Sequence, residues 1–255
     1  MQRRPRFFVD DLAPASVPLP PGEAHHATAV LRLSPGDAVE LFDGRGADAD
    51  GRIVEARRSK VTVAVEQRRP PEPRHTPIVH LAFAIPKGKR LDWLLEKATE
   101  LAAASLRPIA FERSVVGAGR LTQQRRRRWQ AHCIAAAKQS GLNWLPEIRP
   151  PMPLGDFLTE SLADAAGYFG IVGVAGSGAR CLADVLACRP PAGDLCLLVG
   201  PEGGLTRAEV TGAVQAGFVP ARLGRTVLRV ETAAVALLAA AVALGEGQQD
   251  QTPRR

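Results

Sequence analysis

The sequence predicts an α/β protein in two parts, a small β-barrel over residues 1–70 and a mostly parallel α/β domain over 78–246. Three observations predict it. Short β-branched segments separated by turn signals fill the first part. QRRPPEPRHTP, residues 67–77, then crowds prolines and charges into a stretch unsuited to any core. Beyond it, strand-like runs alternate with helical ones. The boundaries expected are a linker at 71–77 and a disordered tail at 247–255.

In the first part RFFVD, DAVELFD, GRIVEA and KVTVAVEQ are the strand candidates, and Asp43-Gly44, Asp50-Gly51 and Ser59-Lys60 are the turns between them. One helix, about Ala24 to Leu33, interrupts the series. A barrel or curled sheet is the natural closure for so many short strands.

In the second part IVHLAFA (78–84) is a strand. LDWLLEKATELAAA (91–104) is an amphipathic helix with Leu91, Leu94, Leu95, Ala98, Leu101 and Ala102 on one face. RPIAF (107–111) returns as a strand, QQRRRRWQAHCIAAAKQ is a long helix, and GYFGIVGV (167–174) is another strand. Leu195–Val199, five apolar residues in a row, suits a buried strand and is short for a helix. Thr206 and Glu209 have the spacing of a capping box, so a helix starts near Arg207. ARLG is a last short strand, and TAAVALLAAAVAL a helix apolar nearly all round.

Composition bounds the function. The 255 residues carry a formal charge of +7, which favours a polyanionic partner such as nucleic acid. Cys133, Cys181, Cys188 and Cys196 include no C-x-x-C pair and no accompanying His cluster, so no zinc site is expected. Cys133 and Cys196 sit among apolar residues and read as small buried hydrophobes. MQRRPRFFVDD has no apolar core of a secretory signal, and Ala233–Leu244 falls short of a membrane span. A cytoplasmic protein with no membrane partner is expected.

The chemistry points to loops. In open α/β sheets ligands sit beyond the carboxyl ends of strands, where glycines let them approach the main chain. GPEGG (200–204) follows one strand, with Glu202 as its single ionisable side chain. LGRTVLRVET (223–232) lies between a short strand and a helix, and GIVGVAGSG (170–178) is a third glycine-bearing strand end. Together they suggest a nucleotide-like ligand held largely by backbone. No G-x-x-x-x-G-K-[ST] occurs, and GVAGSG has the wrong spacing for G-x-G-x-x-G, so neither a P-loop nor a dinucleotide fingerprint is present. Alone, GVAGSG reads as a packing turn.

VGPEGGLTRAE together with LGRTVLRVETA resembles the RsmE-type ribosomal RNA methyltransferases of the SPOUT superfamily. RFFVD, FAIPKGKRLDWLLEKATEL (83–101), FERSVV (111–116) and AAAKQSGLNWLPEI (135–148) extend the likeness over nearly the whole chain. The resemblance implies an N-terminal PUA-like β-barrel that grips RNA and a C-terminal SPOUT-type α/β domain with a trefoil knot. It further implies a homodimer acting on 16S rRNA or the 30S subunit, with S-adenosyl-L-methionine as donor and N3 of one decoding-region uridine as acceptor. Leu198, Val199, Gly200, Glu202, Gly203, Leu223, Gly224 and Leu228 correspond to the cofactor loops. Arg229, Glu231 and Thr232 correspond to the motif that closes the site. Two positions depart from the family pattern: Val230 stands where a threonine is usual, and Leu142 where an arginine usually follows Gly141.

Transfer from a sulfonium is an in-line displacement, so alignment dominates, and the uridine imide must lose its proton. Glu231 and Glu202 are candidate bases, with loop support and helix-terminus charge as their structural alternatives. Arg229 is the candidate to stabilise developing negative charge. Catalysis is assigned to Arg229 and Glu231. RNA contacts should be mostly to phosphates. Arg3, Arg4 and Arg6 precede the first strand, and Arg6, Lys87, Lys89 and Arg90 rank above the Arg125–Arg128 run. Gln139, Ser140 and Asn143 offer hydrogen bonds to RNA or cofactor. Two other readings stay open at this point, a superfamily ribose 2′-O-methyltransferase on rRNA or tRNA and a non-catalytic RNA-binding protein.

Overall fold

The computed structural model describes residues 4–57, 60–115, 119–163, 167–176, 178–190 and 193–249, the side chains of 162–163 and 245–249 aside. Arg3, Ser59, Val116 and Ser177, each part of an expectation above, lie outside the described residues, as do 250–255. The chain divides into two compact units. One runs to Arg74 and includes Ile134–Leu145; the other comprises His75–Cys133 and Pro146 onward.

The first unit contains β1 (Arg6–Phe8), β2 (Ser16–Pro18), α1 (Pro21–His25) with a π-helical turn at His26–Val30, β3 (Ala38–Phe42), β4 (Asp48–Arg57) and β5 (Lys60–Arg69). They form one five-stranded sheet in the order β1-β3-β4-β5-β2, with β1 parallel to β3 and the rest antiparallel. No ladder joins β1 to β2 among the described residues. The curled sheet nevertheless encloses a single core, because Phe7, Val17, Leu41, Ile53 and Val63 meet in it from all five strands. Alternation along β1 sends Phe8 to the opposite face. There it packs with Phe42 and Ala137, so Ile134–Leu145 covers the outer side of the sheet.

Two expectations need correction here. The helix runs Pro21–Val30, not Ala24–Leu33. Pro21 pre-sets the helical φ of the first turn, and Arg32 at φ 55° stops the helix. Asp50-Gly51 is not a turn but lies inside β4, at a register shift against β5. A Cβ on Gly51 would lie 2.6 Å from Val63 Cγ1 and 2.9 Å from the Ala64 carbonyl oxygen, so close strand approach is what requires glycine.

The second unit begins with β6 (Val79–Ala84), α2 (Arg90–Glu100), β7 (Ser105–Ala110) and α3 (Gln123–Ser140), which passes into the first unit after Cys133. It continues with β8 (Glu147–Ile148), β9 (Met152–Pro153), α4 (Leu154–Ala163), β10 (Tyr168–Gly173), β11 (Arg180–Cys181) and α5 (Leu182–Ala187). β12 (Asp194–Val199), α6 (Arg207–Gln215), β13 (Val219–Arg222) and α7 (Val230–Gln249) complete it. The sheet is eight-stranded in the order β11-β13-β10-β12-β6-β7-β8, with β9 on β7, and every pairing is parallel. A central parallel strand is covered on both faces, which is why Leu195–Val199 is continuously apolar and buried.

α2 ends earlier than its apolar pattern suggests. Ala102 adopts φ 57°, and the amides of Ala102 and Ala103 turn back to the carbonyls of Thr99 and Ala98, closing the helix in a left-handed cap. α7 buries Val230, Ala234, Leu237, Leu238 and Ala241 and continues to Gln249, three residues into the expected tail. No helix among the described residues is long and apolar enough to cross a membrane. Burial pushes the Cys133 thiol up to about 11 and that of Cys196 up to about 12, so both remain protonated and inert at neutral pH.

Candidate functional site

The site follows from strand register. β10 pairs with β12 on one side and β13 on the other, and Gly173 stands opposite both Val199 and Ala221. The three strands therefore end level, and the loops after them converge at one edge of the sheet. Between those loops lies a cavity of about 350 Å3, bounded by Gly173–Ala175, Val199–Leu205, Leu223, Gly224 and Thr226–Leu228. Ala233 and Leu237 of α7 form its apolar wall.

Of the residues assigned to a cofactor, Val199, Gly200, Glu202, Gly203, Leu223, Gly224 and Leu228 border this space, and the Gly173–Ala175 loop joins them. Leu198 does not; it is fully buried in β12. Inside the GPEGG loop the Gly204 amide donates to the Pro201 carbonyl at 2.8 Å, making a tight turn that Gly204 leaves at φ 70°.

Two partners distant in sequence hold this loop. The Thr206–Glu209 capping box is present, and Glu209 also accepts the Glu112 amide at 2.8 Å. One residue on, the Arg113 guanidinium donates to the Gly203 carbonyl at 2.9 Å. Glu112 and Arg113 come from FERSVV, whose likeness to the family gave no hint of this task.

Glu202 does not hold its own loop through main-chain amides. Its carboxylate faces Arg90 Nη1 at 3.2 Å, and the same nitrogen lies 3.7 Å from Glu231 Oε1. Arg90, expected at an RNA phosphate, is thus committed to two carboxylates. Glu231 is buried in the first turn of α7, and its Oε2 has no hydrogen-bond partner among the described residues. Arg229 and Thr232 beside it are exposed, and Arg229 has no acidic partner among the described residues. Val230, where a hydroxyl is usual, is buried at 2% exposure in the helix core, a place that suits an apolar side chain.

The remaining residues fall in two groups. Lys87 and Lys89 are exposed in the loop after β6, without acidic partners among the described residues. In the other unit Arg6 is buried, paired with Glu40 at 2.8 Å, lies over the Phe42 ring, and donates to the Ala137 carbonyl and Asn143 Oδ1. It clasps Ile134–Leu145 to the sheet and is not presented to a phosphate from solvent. Asn143 is engaged by it, Ser140 donates back to the Ala136 carbonyl, and Gln139 is exposed. Leu142 packs against the cluster of Phe8 and Phe42.

Away from the cavity, His80 lies between Ser105 at 2.8 Å and Asp194 at 3.2 Å, in neighbouring strands near their N-terminal ends. No group of acids, histidines and cysteines able to hold a metal occurs among the described residues.

Comparison with known proteins agrees with this geometry. Residues 73–242 match the RNA methyltransferase domain family, and residues 19–66 match the RNA methyltransferase PUA domain. The ribosomal RNA small subunit methyltransferase E of Synechocystis is 30% identical over 93% of this chain and 76% of its own length. That of Bacillus subtilis is 31% identical over 86% of each. The crystal structure of the Neisseria gonorrhoeae enzyme bound to S-adenosyl methionine aligns with a TM-score of 0.83 at 29% identity, over 95% of this chain and 98% of that one. A putative methyltransferase from Legionella pneumophila with bound cofactor aligns with a TM-score of 0.82, also at 29% identity. A PUA domain and an RNA methyltransferase domain in this order, with relatives at 30–31% identity matched over 76–86% of their own length, make the chain a member of the ribosomal RNA small subunit methyltransferase E family.

Proposed function

We propose that this protein transfers a methyl group from S-adenosyl-L-methionine to N3 of a uridine in the decoding region of 16S rRNA. The observation that carries the reading is the level ending of β10, β12 and β13, which gathers three glycine-bearing loops around one cavity. Its volume lies in the range of ligand pockets, about 300–1,000 Å3. Main-chain groups of Gly200, Glu202, Gly203, Leu223, Gly224 and Leu228 would hold the donor, with Val199 at the strand end. When bound, it supplies an electrophilic methyl on a sulfonium.

The chain's own task is to orient the acceptor and manage its proton. Glu231 is suited to accept the imide proton, because its buried Oε2 has no donor among the described residues and keeps its capacity to accept one. Arg90 holds Glu231 and Glu202 in place, and Arg229, free of acidic partners among the described residues, stabilises the developing imidate charge. Lys87 and Lys89 meet phosphates, the first unit grips RNA, and Gln139 and Ser140 contribute polar contacts. By the family resemblance, the protein acts in the cytoplasm as a homodimer on rRNA or the small subunit, with its last segment knotted.

The loop clamp gives a first prediction. Arg113→Ala should weaken S-adenosyl-L-methionine binding about tenfold, the loss of one charge-assisted hydrogen bond of roughly 1.5 kcal/mol. Calorimetry reads it directly, and Arg113→Lys should recover part of the loss. Unchanged affinity in Arg113→Ala would remove the clamp from the function. The whole assignment is tested by mass mapping of nucleosides in rRNA from cells lacking the protein. Loss of 3-methyluridine is the expected result; loss of a ribose methyl instead would transfer the assignment to 2′-O chemistry.

A further inference from the structure

A second cavity, of about 460 Å3, lies beside the loop that follows β6. Its apolar floor is Ile85, Pro86, Leu91 and Trp129, and its rim carries Arg125 and Arg128. Four consecutive arginines cannot share a helix face, but Arg125, Arg128 and Trp129 are three and four positions apart and do. The Arg125 guanidinium lies 4.7 Å over the Trp129 ring, a cation–π contact that holds this planar cation at the cavity rim.

Charge at this place is lopsided. Lys87 and Lys89 stand on either side of Gly88, which lines the cavity, and neither they nor Arg125, Arg126 and Arg127 have an acidic partner among the described residues. The one acid in the lining, Asp92, is already held by Arg128 at 2.6 Å. The position is also telling. β6 is parallel to β12 and adjoins it, so the loop after β6 emerges at the sheet edge that carries the GPEGG loop. Arg90, at the end of that loop, reaches Glu202 at 3.2 Å.

From this geometry we infer that the Arg125–Trp129 cavity is a subsite for one unstacked nucleotide of the RNA substrate, apart from the nucleotide that is methylated. Its base stacks on the Arg125 guanidinium above the apolar floor, and its phosphates face Lys87 and Lys89. Guanidinium planes and aromatic rings are the usual platforms for single-stranded bases. An apolar floor explains what a merely solvated arginine run would not need. The inference rests on the proposed action on RNA.

The test uses the full chain, a fluorescein-labelled single-stranded oligouridylate, and methyl transfer to rRNA from cells lacking the protein. Arg125→Ala should weaken oligouridylate binding about tenfold and raise KM for rRNA by a similar factor, with kcat and donor affinity within twofold. Arg125→Lys, which keeps charge but loses the plane, should recover less than half of that. Arg127→Ala should change binding less than threefold. Ultraviolet cross-linking of the unaltered protein should attach RNA to peptides covering 85–91 or 122–129.

Should Arg125→Ala match the parent protein, or cross-links appear only elsewhere while methyl transfer proceeds, the subsite is wrong and the methylation reading stands. Absence of both RNA binding and methyl transfer in the parent protein would overturn the two together.

Discussion

Arg90→Ala should lower methyl-transfer turnover by about 100-fold while leaving KM for rRNA within threefold. Arg90 is the cation beside both Glu202 and Glu231, at 3.2 and 3.7 Å. Without it Glu231 loses the cation that fixes its position, and a misplacement of about 1 Å can cost roughly 100-fold in rate. The loop then relaxes by turning Glu231 toward water, away from the acceptor. A phosphate-binding role would behave differently: KM for rRNA would rise, the salt dependence of binding would shallow by about one charge, and kcat would hold. Arg90→Lys restores the charge without the forked geometry and should recover part of the rate. Glu231→Gln should likewise cut turnover about 100-fold or more, the usual weight of a general base, with donor affinity little changed. An unaltered rate in Glu231→Gln would remove Glu231 from the chemistry.

Gly46→Ala should destabilise the first unit by about 3 kcal/mol, lowering its melting temperature by more than about 10 °C. Gly46 has φ 97°, and a Cβ there would lie 2.6 Å from Trp144 Cε2 and Cζ2. The indole cannot withdraw easily. Its Nε1 donates to the Glu72 carbonyl at 2.9 Å, and the Arg74 guanidinium lies 4.2 Å over its ring. Backbone strain accounts for about 1 kcal/mol and overpacking for the rest. Gly36 supplies the control. It has φ 99°, but a Cβ there meets nothing within 4 Å, so Gly36→Ala should show the strain alone. Thermal melts of the two variants decide it; equal losses would mean that Trp144 yields and the packing contribution is absent.

What was legible in the sequence was local. The Thr206–Glu209 cap is written in residues three apart, and the buried strand Leu195–Val199 in an unbroken apolar run, so both appear where expected. α4 was legible too but overlooked, since Leu154, Phe157, Leu158 and Ser161 are buried at helical spacing. Asp50-Gly51 misled because the dipeptide that makes a hairpin turn also suits a register shift, and only the partner strand decides between them. Arg6 misled for a related reason. Its partners Glu40, Ala137 and Asn143 are 34 to 137 residues away, and nothing around Arg6 in the chain announces its burial. The same distance hid the roles of Arg113 and of the third Glu209 contact. At the site the glycine loops could be read because their chemistry is the absence of side chains, whereas the Arg90 bridge between two acids required the strands to be placed side by side.

The most direct test is a crystal structure of the full chain grown with S-adenosyl-L-methionine. The expected result is donor density between Gly173–Ala175, Val199–Leu205 and Leu223–Leu228, within hydrogen-bonding reach of their main-chain groups and with Glu231 nearby. Donor bound elsewhere, or those loops closed on one another with no density between them, would contradict it.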